Sequence, residues 1–243
     1  VEYRDAPVLL HLGGWGRQRA VVDVDPAQPV SRLRHSALHS ETGYEPKRKV
    51  HAPKALRTQQ AARLRPLLAH IDDQSLRALL GEALDAFEAR ALPRYPALRR
   101  QVIHNDLNPH NVIVDPQQPE RVLNILDFGD MVEAPLINEV GVAAAYQLGH
   151  EGDVLAPALD FVAAYHRRNP LREEELDIFG ELIATRLVMT IAITAWRASL
   201  HPENRHYILR NVPQASASLR GLAAIEQAQV RQRIHQACRG ALQ

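Results

Sequence analysis

The sequence predicts an α+β chain, mainly helical, with one short β-hairpin near its centre. Three observations carry that prediction. Apolar residues recur at helical spacing through most of the chain from residue 58 onward. Two short apolar runs, Val112–Val114 and 122–126, flank a stretch rich in turn formers. Composition changes abruptly near residue 57.

The 243 residues, 46% of them hydrophobic, can bury one sizeable core or one core plus a small appendage. A formal net charge of +1 gives no electrostatic reason to expect nucleic acid or an acidic membrane as a partner. The single cysteine, Cys238, leaves no internal disulfide framework and suits a reducing, cytoplasmic setting. The longest strongly apolar stretch, 182–196, is interrupted by Arg186 and reads as too short to cross a bilayer. The first dozen residues carry Glu2, Arg4 and Asp5 and do not read as a signal peptide. An opening valine in place of methionine points to a piece of a longer protein.

Residues 1–57 form the first unit, an irregular segment with no helical or strand period. Its Gly13-Gly14-Trp15-Gly16 has the wrong spacing for a phosphate-binding glycine loop. All three lysines of the chain, Lys47, Lys49 and Lys54, fall here, whereas arginine is the only strongly basic residue afterwards. Such a break suggests a segment of different origin, either a divergent leader or a shifted reading frame. The lysines themselves read as a solvated basic loop.

Residues 58–243 form the second unit. Leu64, Leu67, Leu68 and Ile71 repeat at i, i+3, i+4 and i+7, which predicts an amphipathic helix over 58–71. Asp73 or Ser75 caps the next helix, whose face is Leu76, Leu79, Leu80, Ala83, Leu84 and Phe87, with Pro93 and Pro96 ending it. Residues 136–148 are apolar and alanine-rich, fit for a buried helix. Helices over 153–167 and 173–200 follow, the second opening on Glu173, Glu174 and Glu175 and stopped by His201-Pro202. A last helix over 214–241 follows Pro213. Phe128 reads as a core aromatic, and Arg186 and Trp196 as packing or surface residues.

The chemistry concentrates in residues 101–130. His104, Asp106 and Asn111 stand in an H-x-D-x-x-x-x-N stretch, and the Asp127-Phe128-Gly129 triplet follows Asn111 by sixteen residues. Phosphoryl transfer needs a carboxylate aimed at an acceptor hydroxyl and hard oxygen ligands that hold magnesium against the phosphates. Asp106 can supply the first, and Asn111 and Asp127 the second. A hairpin through Pro116 and Pro119 would return Asp127 to Asn111. His104 is expected to brace the loop by hydrogen bonding. Asn105, Asn108 and His110 line the loop within reach of substrate or phosphate, and Asp130 and Glu133 are placed to meet a cationic acceptor.

The runs HNDLNPHN and LDFGD resemble the catalytic and metal loops of the aminoglycoside phosphotransferase and choline kinase superfamily. The wider run NEVGVAAAYQL, 138–148, is similar to its hydroxylysine kinase branch, which includes bacterial members fused to an aminotransferase. The resemblance covers roughly residue 59 to the C-terminus. It implies a protein-kinase-like C-terminal lobe, Mg2+, ATP or GTP as donor, and a hydroxylysine-like or aminoglycoside-like amino alcohol as acceptor. It also implies an N-terminal β-lobe with a glycine-rich cover and a phosphate-gripping lysine. Residues 1–57 offer nothing recognisable as either, since no lysine there lies in a V-A-I-K-like strand.

Two other readings follow from the same residues. Without an N-terminal lobe the chain would be an inert or truncated kinase-like fragment or domain of a larger fused enzyme. Alternatively, His104, Asp106 and His110 would bind zinc in a metal-dependent hydrolase, a reading that leaves Asp127 without a role.

Overall fold

The computed structural model describes residues 58–149 and 151–241. The expectations for residues 1–57, including the three lysines and the missing N-terminal lobe, lie outside the described residues. Within them the chain is mainly helical, as the sequence predicts, and carries two short antiparallel ribbons where one hairpin was expected.

Thr58–His70 is helical but wound as a 3-10 helix. Pro66 lies inside it, where it has no N–H for an α-helical bond and its ring would crowd the carbonyl four residues back. The tighter winding also fits burial of Thr58, Ala61 and Leu64 at every third residue. Helix α1, Gln74–Ala86, opens where Asp73 accepts from the Leu76 amide at 3.0 Å. The prolines do not stop the helical path. It widens into a π turn over Phe87–Ala91 and tightens into a 3-10 helix over Leu92–Ala97, with Pro93 in its first turn and Pro96 inside.

Strand β1, Arg100–Ile103, leads into the stretch bearing His104, Asp106 and Asn111. The expected hairpin is there: β2, Val112–Val114, pairs with β3, Val122–Ile125, with an irregularity at Ile113 and Val114. Leu107 and Val112 are buried beneath it and Val114, Val122 and Ile125 pack on them, so the hairpin has a small core of its own. A second ribbon was not read from sequence. Strand β4, Val132–Pro135, returns to pair with β1 in the register Ile103 to Val132 and Arg100 to Pro135.

Helix α2, Leu136–Ala145, follows β4 directly, and all ten of its residues are buried. Tyr95 donates its hydroxyl to Asn138 at 2.9 Å, tying the 3-10 segment to α2; burial pushes that hydroxyl's pKa up. Helix α3 covers Ala156–Arg168.

The predicted helix over 173–200 is two helices, α4 (Glu173–Leu176) and α5 (Phe179–Leu200). At the break Asp177 turns its carboxylate to Arg94 at 2.8 Å and to His235 at 3.0 Å. Helix α5 runs 22 residues, longer than the apolar run suggested, and by length and composition alone would suffice to cross a bilayer. Here it is the central core helix, packed against α1, α2 and the 3-10 helix over Thr58–His70. Most of its apolar window is buried against the protein itself.

After a short helix, α6 (Arg205–Ile208), the predicted last helix is again two, α7 (Val212–Ala223) and α8 (Gln227–Gly240). A single rod over 214–241 would be about 40 Å long and would leave the core. The turn at Ala224-Ile225-Glu226 folds α8 back onto α3 while α7 packs on α5. Cys238 is buried on α8, and burial pushes its thiol up to about 12.

Candidate functional site

The two ribbons place the residues expected to act together. β1 ends at Ile103, so His104, Asn105 and Asp106 leave the ribbon edge at a fixed height. β4 begins at Val132, opposite Ile103, and so fixes the exit from the Asp127 turn at the same height. The hairpin closes the other side, where the Leu126 amide donates to the Asn111 carbonyl at 2.8 Å. Asp127 is thus the next residue after one bonded to Asn111.

His104 bonds to the same place. Its Nε2 lies 2.7 Å from the Leu126 carbonyl. A carbonyl only accepts, so Nε2 carries the proton and Nδ1 is left to accept from the Asp106 amide at 3.4 Å. His104 therefore braces the loop, as expected. Both ring nitrogens are committed, which removes it as a metal ligand. Among the described residues no group of three or more His, Cys, Asp and Glu stands together to hold a metal ion, and the His104, Asp106 and His110 zinc reading has no site.

Asp106 is the centre of the loop's bonds. Asn111 Nδ2 donates to its backbone carbonyl at 2.8 Å and to Oδ2 at 3.3 Å. Asn108 Nδ2 donates to the same two atoms, each at 3.1 Å. These partners can only accept, so both amides present nitrogen to Asp106. The Asn108 oxygen accepts from the His110 amide at 2.9 Å, whereas the exposed His110 side chain stands outside this set.

Asp127 and Asn105 are the two non-glycine residues with positive φ among the described residues, at 60° and 66°. Asp and Asn tolerate this left-handed conformation better than other side chains. The Asp127 carboxylate folds over its own turn: a Cβ at Gly129 would stand 3.3 Å from its Oδ1. Phe128 is not a core aromatic. It is 46% exposed and stacks edge-on against His104 at 5.2 Å, because the 3-10 turn Phe128–Asp130 carries it to the outer side of the ribbons. Asp130 is exposed on that turn. Glu133 is exposed on β4, 3.7 Å from the Arg100 guanidinium. Neither bonds to the Asp106 loop.

Two residues that hold the loop were not assigned from sequence. Glu139, on α2, accepts the Asn105 amide at 3.0 Å through Oε2 and so sets the strained residue before Asp106. Its other oxygen is buried without a partner among the described residues, and burial pushes its carboxyl above the ordinary range. Arg186, on α5, donates from Nη2 to Asp106 Oδ1 at 2.5 Å and to the Tyr146 hydroxyl at 3.0 Å. A usable signal existed for each. Glu139 is the lone acid in a helix otherwise almost wholly apolar, and Arg186 is the lone charge in the run 182–196.

The profile of the Phosphotransferase enzyme family, APH, aligns with residues 35–176, more than half of the chain. The chain belongs to this family. The match opens upstream of residue 58 and takes in the ribbons, α2 and α3 of the phosphotransferase lobe. Three curated relatives are hydroxylysine kinases. That of Xenopus laevis is 26% identical over 153 residues, covering 60% of this chain and 41% of the relative. Those of Danio rerio and Mus musculus are 25% and 24% identical over 141 and 139 residues, covering 57% and 55% of this chain and 40% and 37% of theirs. The chain thus spans about two fifths of the length of the curated relatives it matches. Among solved structures, a microcompartment-associated aminopropanol kinase aligns over 68% of this chain and 47% of its own, with a TM-score of 0.47 and 21% identity.

Proposed function

We propose that this phosphotransferase moves the terminal phosphate of ATP or GTP to a hydroxyl of a small amino alcohol, hydroxylysine-like in the first instance and aminoglycoside-like in the second. One observation carries the reading. The carboxylate of Asp106, the amide of Asn111 and the turn bearing Asp127 are drawn to one place by the Asn111 to Asp106 and Leu126 to Asn111 bonds. The similarity to hydroxylysine kinases supports the acceptor class.

In this reading Asp106 receives the acceptor hydroxyl. The alcohol oxygen bonds to the terminal phosphorus, the bond from phosphorus to the nucleoside diphosphate breaks, and the diphosphate leaves with the electron pair. The alcohol proton passes to Asp106. The Asn111 and Asp127 oxygens suit Mg2+, a hard cation that takes oxygen ligands. Asn111 has committed its Nδ2 to Asp106, which turns its carbonyl oxygen to the other side, and Asp127 is exposed. Magnesium bound there would neutralise charge on the phosphates. Asn108 and His110 line the same loop and would contact the phosphates, and Asp130 and Glu133 would offer negative charge to the acceptor's ammonium.

The test is a transfer assay on the full-length gene product, with ATP and GTP, a panel of amino alcohols and aminoglycosides, and magnesium present or chelated. Magnesium-dependent transfer is expected, with Asp106→Ala lowering kcat by about 10²–10⁴-fold. Transfer that survives Asp106→Ala at the wild-type rate, or no transfer to any alcohol, would overturn the proposal.

A further inference from the structure

A carboxylate presents about four lone-pair positions in its plane, two on each oxygen. In Asp106 three are filled. Oδ2 accepts from Asn108 at 3.1 Å and from Asn111 at 3.3 Å, and Oδ1 accepts from Arg186 at 2.5 Å. The position left is on Oδ1, beside the guanidinium.

Arg186 reaches this place from the central core helix, eighty residues further along the chain. Its side chain is 17% exposed and that of Asp106 25%, so the pair is shielded from the solvent and salt that weaken surface pairs. Tyr146 holds the arginine from behind. Its hydroxyl accepts from the same Nη2 at 3.0 Å, and its ring centroid lies 5.6 Å from the guanidinium carbon. The arrangement has a cost, because Nε of Arg186 is buried with no hydrogen-bond partner among the described residues. Burial alone would lower the guanidinium's pKa, yet Tyr146 and Asp106 together hold it above its ordinary value. A core helix that tolerates a charge and an orphaned donor to deliver one bond to Asp106 is organised around that bond.

We propose that Arg186, held by Tyr146, is the positioning residue for Asp106: it fixes the carboxylate so that the acceptor hydroxyl is received at Oδ1, and offsets the negative charge that Asp106 would otherwise turn toward the phosphates. The inference rests on the phosphotransferase reading and deepens it. Phosphoryl transfer asks little covalent chemistry of the protein and much positioning and charge neutralisation, which is what an arginine acting through the carboxylate supplies. The pairing keeps the Asp106 carboxylate aimed at the acceptor hydroxyl through the transfer.

The experiment compares wild type, Arg186→Ala, Arg186→Lys and Tyr146→Phe in the full-length gene product, each also in an Asp106→Ala background, with melting curves for all. Arg186→Ala is expected to lower kcat by about 10²-fold, the scale of a misaimed catalytic group, while both KM values stay within about threefold. Arg186→Lys should recover part of the loss and Tyr146→Phe should show a smaller one. In the Asp106→Ala background the arginine substitution should add almost nothing, since residues acting as one unit are not additive. A wild-type kcat in Arg186→Ala, an equal loss in both backgrounds, or a loss confined to KM overturns the inference. If Arg186→Ala gives no cooperative melt, Arg186→Lys and Tyr146→Phe decide it by the same criteria. An active wild type with an indifferent arginine removes only this role; an inactive wild type removes the phosphotransferase reading and this inference together.

Discussion

His104 and Leu126 are joined across the site by one hydrogen bond of 2.7 Å, from the imidazole Nε2–H to the backbone carbonyl. It links the residue two before Asp106 to the residue just before Asp127, so the two acids are held to a common frame. Phe128 lies against the same ring at 5.2 Å. His104→Ala should therefore cost about 1 kcal/mol of stability and lower kcat by roughly tenfold or more, with nucleotide affinity little changed. Urea melts and steady-state kinetics check this. A stability loss with unchanged kcat would make the histidine a purely structural brace.

Asp127 sits at φ 60°, a conformation that Asn adopts more readily than most side chains. Asp127→Asn keeps the turn and removes the charge. The wild type is expected to gain melting temperature from magnesium and nucleotide together and to lose that gain with chelator; Asp127→Asn should gain little in either condition while its ligand-free melting temperature stays close to wild type. An undiminished gain in the variant would show that the carboxylate holds no metal.

Glu139 gives the protein a pH dependence of definite sign. Burial raises its carboxyl above the ordinary 4.5, outweighing the Asn105 amide bond that lowers it. The folded chain then holds this proton more tightly than the unfolded chain, so the stability linked to it is present at low pH and declines as pH rises from about 4.5 through the raised folded value. Glu139→Gln keeps an acceptor for Asn105 and has no such slope. Stability measured by urea at a series of pH values should fall across that window in wild type relative to the variant, by about 1.4 kcal/mol for every tenfold by which folding tightens the hold on the proton. Parallel curves would contradict the burial argument.

Glu175 is 0% exposed and is held by Arg99 through bonds of 2.9 and 2.6 Å, with the Arg172 amide donating at 2.7 Å. Arg99 follows Leu98 and directly precedes β1, so this pair fastens the start of the catalytic ribbon to α4. Arg99→Ala would leave a buried carboxylate without its cation and should cost about 3–5 kcal/mol. Adding Glu175→Gln should return part of it. Denaturant midpoints of the single and double variants measure both.

Much of the site was legible because it is local. The pairing of Val112 with Ile125 follows from two apolar runs and the prolines between them, and the Asn111 to Asp106 bonds span five residues. The 3-10 winding over Thr58–His70 had a readable cause in Pro66, overlooked because the leucines also fit a period of 3.6. The break at Asp177 had no glycine or proline to mark it. It is made by Arg94 and His235, both more than fifty residues away in sequence.

By itself the sequence determined the hairpin that draws the candidate side chains together and the family to which the chain belongs, since these depend on residue types at short separations. Tertiary structure alone decided that β1 pairs with β4, that Glu139 sets Asn105 and that Arg186 and Tyr146 close on Asp106. Those contacts come from packing α2 against β1 and β4 and α5 against α2, and the free energy of burying two apolar helices carries no mark, in the chain's own order, of which lone charge will meet which carboxylate.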